Sequence, residues 1–205
     1  MHTEIHNTDI DNTDITDTDD LSTPNLMPAP IGTEHPSLLP RNGQLLVERT
    51  FVFSDLSGFT AYTRRNGPHA AAAMLARFRH ITRQIAANRG VRVAKWLGDG
   101  AMLVGVEPMP AIAFGAHLVA HYRDGEVEVR VGIASGTALL FEGDDYIGEP
   151  VNLAAKLCAA ARPGEILADC ASEGLPDWVH ARDQVTVHVR GVGEVEGILR
   201  LVPAA

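Results

Sequence analysis

Apolar and polar positions along the chain alternate between a two-residue period and a helical period, which predicts strands and helices in turn. Residues 45–54 are rich in β-branched and aromatic side chains and predict a first strand. From Pro68 to Asn88 the apolar positions follow helical spacing, and Gly90 lies just past the predicted helix end. Two short strands are then predicted on either side of a turn at residues 98–100.

The second half of the chain continues the same alternation. A second helix is predicted at residues 110–122, a long strand at 127–140 and a third helix at 150–161. Three short strands are predicted after it, at residues 166–168, 185–190 and 197–202. The order β-α-β-β-α-β, followed by a further helix and strands, predicts an α+β sandwich of the ferredoxin-like type. Residues 44–205 are therefore expected to form one folded domain.

Residues 1–43 differ from the rest in composition. They are low in complexity, contain spaced aspartates and several prolines, and predict a disordered acidic tail. Residues 1–45 carry a net charge of −7, so of the −9 on the whole chain only −2 remains for the domain. A nucleic-acid partner normally requires a basic face, and the composition gives no sign of one. Nucleic-acid binding is therefore not expected.

Hydropathy and the spacing of the cysteines predict the cellular location of the protein. No apolar run approaches the roughly 18 residues of a membrane span, and the polar N-terminus is unlike a signal peptide. Cys158 and Cys170 lack the spacing of a metal site and are expected to be buried free thiols, as in a reducing compartment. The sequence thus predicts a soluble cytoplasmic protein without a membrane span.

Two aspartates stand in short glycine-containing segments, each after an apolar run. Asp55 lies in FSDLSGFT, residues 53–60, and Asp99 lies in KWLGDG, residues 95–100. Each carboxylate is expected at or near a strand end, and two carboxylates on neighbouring strands suit hard divalent cations. Taken singly, one aspartate would instead cap a helix and the other would fill a turn.

A third segment, DYIGEPVNLAAKL at residues 145–157, completes the pattern. Together the three segments resemble the catalytic domain of class III nucleotidyl cyclases, over roughly residues 46–202. Members convert a nucleoside triphosphate to a cyclic 3′,5′-monophosphate and pyrophosphate. The resemblance implies that Asp55 and Asp99 hold two Mg²⁺ or Mn²⁺ ions per site. It also implies a loop of backbone amides that binds the β- and γ-phosphates, formed by Leu56, Ser57, Gly58, Phe59 and Thr60.

The same resemblance places two residues at the purine edge. Lys95 lies four residues before Asp99, and Asp145 lies seven before Asn152, where adenylate-forming members carry a lysine and an aspartate. A lysine ammonium donates to adenine N1 and a carboxylate accepts from the N6 amine, whereas guanine needs the opposite groups. ATP is therefore the expected substrate. An ordinary surface ion pair is the alternative interpretation of Lys95 and Asp145.

The third segment departs from the family pattern at one position. Asn152 stands where the family's asparagine orients the ribose, but Lys156 stands where the family has an arginine that stabilises the transition state. Lysine keeps the positive charge and lacks the planar fork of arginine. Losing one preorganised donor costs about 100- to 1000-fold in rate, part of which a lysine recovers. Arg190 resembles the family's late basic residue at the terminal phosphates, or else is a charge at a strand edge.

In this family the active site lies between two catalytic domains arranged head to tail. The chain carries both halves of the residue set, so the resemblance implies a symmetric homodimer with two equivalent sites. The first expectation is an adenylate cyclase. The second is a cyclase for another nucleotide, including the pyrimidine nucleotide cyclases of bacterial anti-phage defence. The third is a nucleotide-binding domain whose catalysis has decayed, with Lys156 as the mark of that loss.

Overall fold

The structure, a computed structural model, describes residues 45–141, 143, 145–171 and 174–204, so the tail predicted at residues 1–43 lies outside the described residues. Within them the elements are β1 (Leu45–Ser57), α1 (Phe59–Arg89), β2 (Arg92–Leu97), β3 (Gly100–Gly105), α2 (Pro108–His121), β4 (Glu128–Phe141), β5 (Asp145–Ile147), α3 (Glu149–Ala160), β6 (Ile166–Asp169), β7 (Val179–Val189) and β8 (Gly193–Pro203). None of these three helices is both long and apolar enough to span a membrane.

The described strands form one mixed sheet of eight. Its order is β2-β3-β1-β4-β6-β8-β7, with β5 paired to the end of β4. The first four strands pair antiparallel with their neighbours, as in a ferredoxin-like sheet. β4 and β6 run parallel, since the connection between them includes α3. The predicted α+β class is confirmed.

Helices cover both faces of the sheet. The face under α1 and α2 holds the larger core, which includes the fully buried Phe78 and Phe114. α3 packs on the other face, where Ala154 lies in one cluster with Phe51 of β1. Because side chains alternate across a strand, Asp55 lies on the same face as Phe51, under α3.

β4 and α3 approach each other very closely at Gly132. A Cβ at this position would lie 2.2 Å from the carbonyl oxygen of Ala154 and 2.2 Å from the backbone nitrogen of Cys158. Glycine is the residue that allows such a close approach of two backbones. The contact sets the distance of α3 from the sheet and thereby the positions of Asn152 and Lys156.

Three differences between the predicted and the observed elements are larger than a shift of an element end by a few residues. A short helical segment begins at Phe59, before the predicted helix, and a kink at Gly67 (φ 81°, ψ 172°) separates the two parts of α1. β5 was not predicted, because three residues are too few to show a period. β7 begins at Val179, before the predicted start at Val185, because its first half is mostly exposed and lacks apolar alternation.

Both cysteines are free thiols. Cys158 is buried, as predicted, whereas Cys170 is only partly buried. Burial raises the pKa of Cys158 to about 12 and that of Cys170 to about 11, so both thiols stay protonated at neutral pH.

Candidate active site

Asp55 lies near the end of β1 and is paired with an arginine. Its Oδ2 accepts two hydrogen bonds from Arg130 of β4, at 2.9 Å from Nε and 2.5 Å from Nη2. The two residues face each other directly in the β1–β4 register. Their side chains are 26% and 31% exposed, so the pair is open to solvent on one side. The helix-cap interpretation of Asp55 is wrong, because Gly58 is the N-cap residue of α1 and no side chain caps this helix start.

Asp99 occupies the turn between β2 and β3, beside Asp55. Its backbone carbonyl accepts a hydrogen bond from the amide of Leu56 at 3.3 Å, which ties the turn to β1. Gly100 pairs with Asp55, and a Cβ there would lie 2.6 Å from the Ser54 carbonyl oxygen and 3.3 Å from Asp55 Oδ1. Glycine therefore keeps the space beside the Asp55 carboxylate open.

The two carboxylates are close enough to influence each other's charge. Partial burial raises the pKa of Asp99 above its ordinary value, a hydrogen bond from its own backbone amide opposes the rise, the negative charge of Asp55 adds to it, and Arg130 opposes it. Carboxylate oxygens are hard donors that suit Mg²⁺, which is commonly bound by one or two carboxylates together with substrate phosphates. Across the described part of the chain, no cluster of three or more Asp, Glu, His or Cys side chains suits a metal ion. Two carboxylates alone are an incomplete ligand set for Mg²⁺, so a cation held here would need further ligands such as phosphate oxygens or water.

The predicted phosphate loop lies at the junction of β1 and α1. Gly58 adopts a left-handed conformation, φ 81°, which turns the chain from strand to helix. The first amides of a helix have no intrahelical acceptor, and this helix start lacks a side-chain cap, so the N–H groups of Phe59 and Thr60 have no acceptor within the described part of the chain. The Leu56 amide is not among the free groups, because it donates to the β2–β3 turn. The Ser57 hydroxyl is buried and finds no partner among the described residues.

Lys95 of β2 and Asp145 of β5 form an ion pair. Nζ and Oδ2 are 2.6 Å apart, and the side chains are 39% and 41% exposed. The hydrogen bond from Lys95 is the main cause that lowers the pKa of Asp145, and the amide of Tyr146 lowers it further. The two residues predicted at the purine edge are thus brought together and are partly exposed to solvent.

α3 carries Asn152 and Lys156, which lie one turn apart on one side of the helix. Asn152 is exposed and Lys156 is half-buried. If Gly191 had a Cβ, that atom would lie 3.6 Å from Nζ of Lys156. The Lys156 side chain therefore reaches the β7–β8 turn, where Arg190 is exposed. Two cations that were predicted separately therefore lie at the same end of the molecule.

A cavity of ≈ 190 Å³ opens between the end of β1 and α3, lined in part by Asp55, Arg130 and Cys158. Arg130 is the site residue that the sequence interpretation missed. It stands between Val129 and Val131, which are fully buried, in a segment that alternates apolar and charged residues, so its side chain lies on the opposite face of the strand. A charged side chain on a strand that is covered on both faces needs a partner, and that was the available signal. The identity of the partner follows only from the strand register.

Sequence relatives of the chain include named cyclases, although no protein-family model matches it. A protein of Mycobacterium tuberculosis described as uncharacterised is 42% identical over 129 residues, which are 62% of this chain and 34% of that protein. An adenylate cyclase of Streptomyces coelicolor is 35% identical over 121 residues, 58% of this chain and 32% of the relative. The chain thus spans about a third of the length of these relatives.

Solved structures of cyclase domains share the fold. The adenylyl cyclase CyaB from P. aeruginosa gives a TM-score of 0.64 at 26% identity, over 80% of this chain and 97% of that one. The guanylyl cyclase Cya2 gives a TM-score of 0.68 at 20% identity, over 80% and 95%, and shows the fold alone. In sequence this chain is therefore similar to named adenylate cyclases, and in fold it is similar to the catalytic domains of adenylyl and guanylyl cyclases.

Proposed function

We propose that residues 44–205 form an adenylate cyclase domain that converts ATP to 3′,5′-cyclic AMP and pyrophosphate. The observation that carries the proposal is the pair of carboxylates, Asp55 and Asp99, on adjoining backbone segments beside the start of α1. The named adenylate cyclase relatives support the reaction class. The Lys95–Asp145 pair supports adenine over guanine, because it offers one donor and one acceptor in the sense that adenine needs.

Asp55 and Asp99 would hold Mg²⁺ or Mn²⁺, two ions per site. Divalent cations, when bound, lower the pKa of the attacking hydroxyl and neutralise the triphosphate. Arg130 holds the Asp55 carboxylate in one orientation through two hydrogen bonds. It also adds positive charge where phosphate oxygens would gather. The free amides of Phe59 and Thr60 provide further donors for the β- and γ-phosphates.

The other residues bind the base and ribose and stabilise the developing charge. Lys95 would donate to adenine N1 and Asp145 would accept from the N6 amine. Asn152 would orient the ribose so that its 3′-hydroxyl attacks the α-phosphorus in line. As the new P–O bond forms, the bond to pyrophosphate breaks and the hydroxyl proton leaves to solvent. Lys156 and Arg190 would stabilise the negative charge on the α-phosphate and the leaving group.

We also propose a head-to-tail homodimer with two equivalent sites. Each site would take Asp55 and Asp99 from one subunit and the base-binding pair with the α3 residues from the other. The exposure of Lys95, Asp145 and Asn152 supports this arrangement, since these side chains are open to a partner subunit. A cytoplasmic location is part of the proposal, because free thiols are typical of a reducing compartment.

Lys156→Arg is expected to raise kcat. Arginine adds a planar fork of donors, and the missing side chain of Gly191 leaves room for it at the β7–β8 turn. The gain should stay below the about 100- to 1000-fold that one preorganised donor is worth, because lysine already supplies the charge. The measurement is kcat at saturating ATP and Mn²⁺. Lys95→Arg, at the other lysine of the chain, is the control and should lower activity with ATP. A rate for Lys156→Arg at or below that of the native protein would contradict this role.

The proposed function is tested by product identification. Purified protein at micromolar concentration receives Mn²⁺ and ATP, GTP, CTP or UTP separately, and products are identified by mass spectrometry. Cyclic AMP is expected, with the highest kcat/KM for ATP. A higher kcat/KM for UTP or CTP would overturn the base assignment in favour of a pyrimidine cyclase. No cyclic product from any of the four, with the dimer verified, would overturn catalysis in favour of a decayed nucleotide-binding domain.

A further inference from the structure

We propose that Arg92 and Tyr146 form a latch that fixes the direction of the Asp145 carboxylate and thereby sets the preference for ATP over GTP. The inference rests on the proposed function, in which Lys95 and Asp145 bind the base. Arg92 and Tyr146 are positioning residues here: they act on the base through Asp145 and need not touch it.

Asp145 lies on a strand that has little support of its own. β5 contains three residues and pairs only with the end of β4, from Leu139↔Ile147 to Phe141↔Asp145. A two-stranded extension of this length is marginally stable alone. In the sheet order, β1 and β3 lie between β4 and β2. Even so, side chains of β5 reach β2, and these contacts bring Asp145 to Lys95.

Tyr146 anchors β5 at two points. Its hydroxyl accepts a hydrogen bond from Nη2 of Arg92 at 3.2 Å. Its ring meets Phe51 edge to face, with centroids 5.3 Å apart and an interplanar angle of 66°. Phe51 is fully buried, so the ring of Tyr146 packs directly on the core. The hydrogen bond from Arg92 to the hydroxyl fixes the position of the Tyr146 ring along β2.

The anchored residue also restrains its neighbour's carboxylate. The backbone amide of Tyr146 donates to Oδ1 of Asp145 at 2.9 Å, while Oδ2 lies 2.6 Å from Nζ of Lys95. Each oxygen of the carboxylate therefore has its own partner, which fixes the plane and direction of the group. Only Oδ2 faces the lysine, where a base would enter.

A fixed acceptor discriminates between purines. Adenine presents an N6 amine, which donates, whereas guanine presents O6, which accepts. A carboxylate held in place therefore attracts adenine and repels the guanine oxygen. If the latch opens, β5 can shift and the carboxylate can turn away from a guanine. Loss of the latch should therefore weaken ATP binding and reduce the penalty against GTP.

The test compares two variants that break the same bond. Tyr146→Phe keeps the ring and removes the hydroxyl, and Arg92→Met removes the donor and keeps an extended side chain. kcat/KM for ATP and for GTP is measured on the full chain for the native protein, each single variant and the double variant. The ATP:GTP ratio should fall about fivefold in each single variant, as expected for one hydrogen bond, mainly through KM for ATP. The ATP:GTP ratio of the double variant should equal that of the single variants, because both substitutions remove the same hydrogen bond.

Tyr122→Phe is the matched control. It also removes a tyrosine hydroxyl, which is buried and has no hydrogen-bond partner among the residues that the structure describes. Its ATP:GTP ratio should equal that of the native protein. An unchanged ratio in Tyr146→Phe and Arg92→Met, including equal losses with both nucleotides, would overturn the latch and leave the cyclase proposal standing. If the native protein makes no cyclic product, the proposed function fails and the latch fails with it.

Discussion

Asp55→Ala is expected to lower kcat for cyclic AMP formation by at least about 1000-fold, because it removes a proposed ligand of the divalent cations. The same change removes two of the hydrogen bonds of Arg130, whose guanidinium then keeps the bond from Nη1 to the Ala159 carbonyl oxygen at 3.1 Å. The fold should persist, since the Asp55 side chain is 26% exposed and contributes little to the core. The measurements are the rate with Mn²⁺ and ATP and the circular dichroism spectrum of the variant.

Asp183→Ala is the control for this prediction. Asp183 also accepts a hydrogen bond from an arginine, because Nη1 of Arg200 lies 2.6 Å from its Oδ2. Asp183 lies on β7, which carries no proposed site residue. Its removal should leave kcat unchanged. If Asp55→Ala kept more than about a tenth of the native rate, Asp55 could not hold a catalytic cation.

Gly132→Ala is expected to destabilise the domain by about 3 kcal/mol, the upper end for added core volume. The new methyl group would meet two backbone atoms of α3 at 2.2 Å, and a helix backbone cannot turn aside as a side chain can. The melting temperature should fall by roughly 6–12 °C for a domain of this size. Because α3 must move away from the sheet, kcat should fall as well, even at temperatures where the variant is folded.

Gly105→Ala provides the comparison for Gly132→Ala. A Cβ at Gly105 would meet its nearest neighbour, the Glu107 carbonyl oxygen, at 3.4 Å, an ordinary contact. Its cost should stay below about 1 kcal/mol. Equal melting temperatures for Gly132→Ala and the native protein would show that α3 does not depend on this contact for its position.

The sequence predicted the features that depend on local pattern. Strands and helices follow from their periods, and Gly90 ends α1 in the left-handed conformation expected of a C-terminal glycine. Asp55 and Asp99 were found because each lies in a distinctive segment beside a strand end. Lys95 and Asp145 were paired only through the family resemblance, and the structure places them 2.6 Å apart.

Features that depend on register and tertiary packing were not predictable in this way. Arg130 meets Asp55 because β1 and β4 pair in one register, and a shift by one residue would place them on opposite faces. Lys156 reaches the turn at Gly191 because α3 packs against the β7–β8 hairpin, which is distant in sequence. The Arg92–Tyr146 contact likewise joins β2 to β5 across three other strands, β3, β1 and β4.

Mixing two inactive variants tests most directly whether two copies of the chain share each active site. Asp55→Ala damages one half of a site and Asn152→Ala the other, so each homodimer alone should be inactive. After subunit exchange, half of the dimers are heterodimers with one intact site, which predicts about a quarter of native cyclic AMP formation. A mixture of Asp55→Ala with Asp99→Ala should stay inactive, because both changes lie in the same half. Recovery to about a quarter in the first mixture alone is the predicted result. No recovery despite verified exchange, or equal recovery in both mixtures, would contradict a shared site.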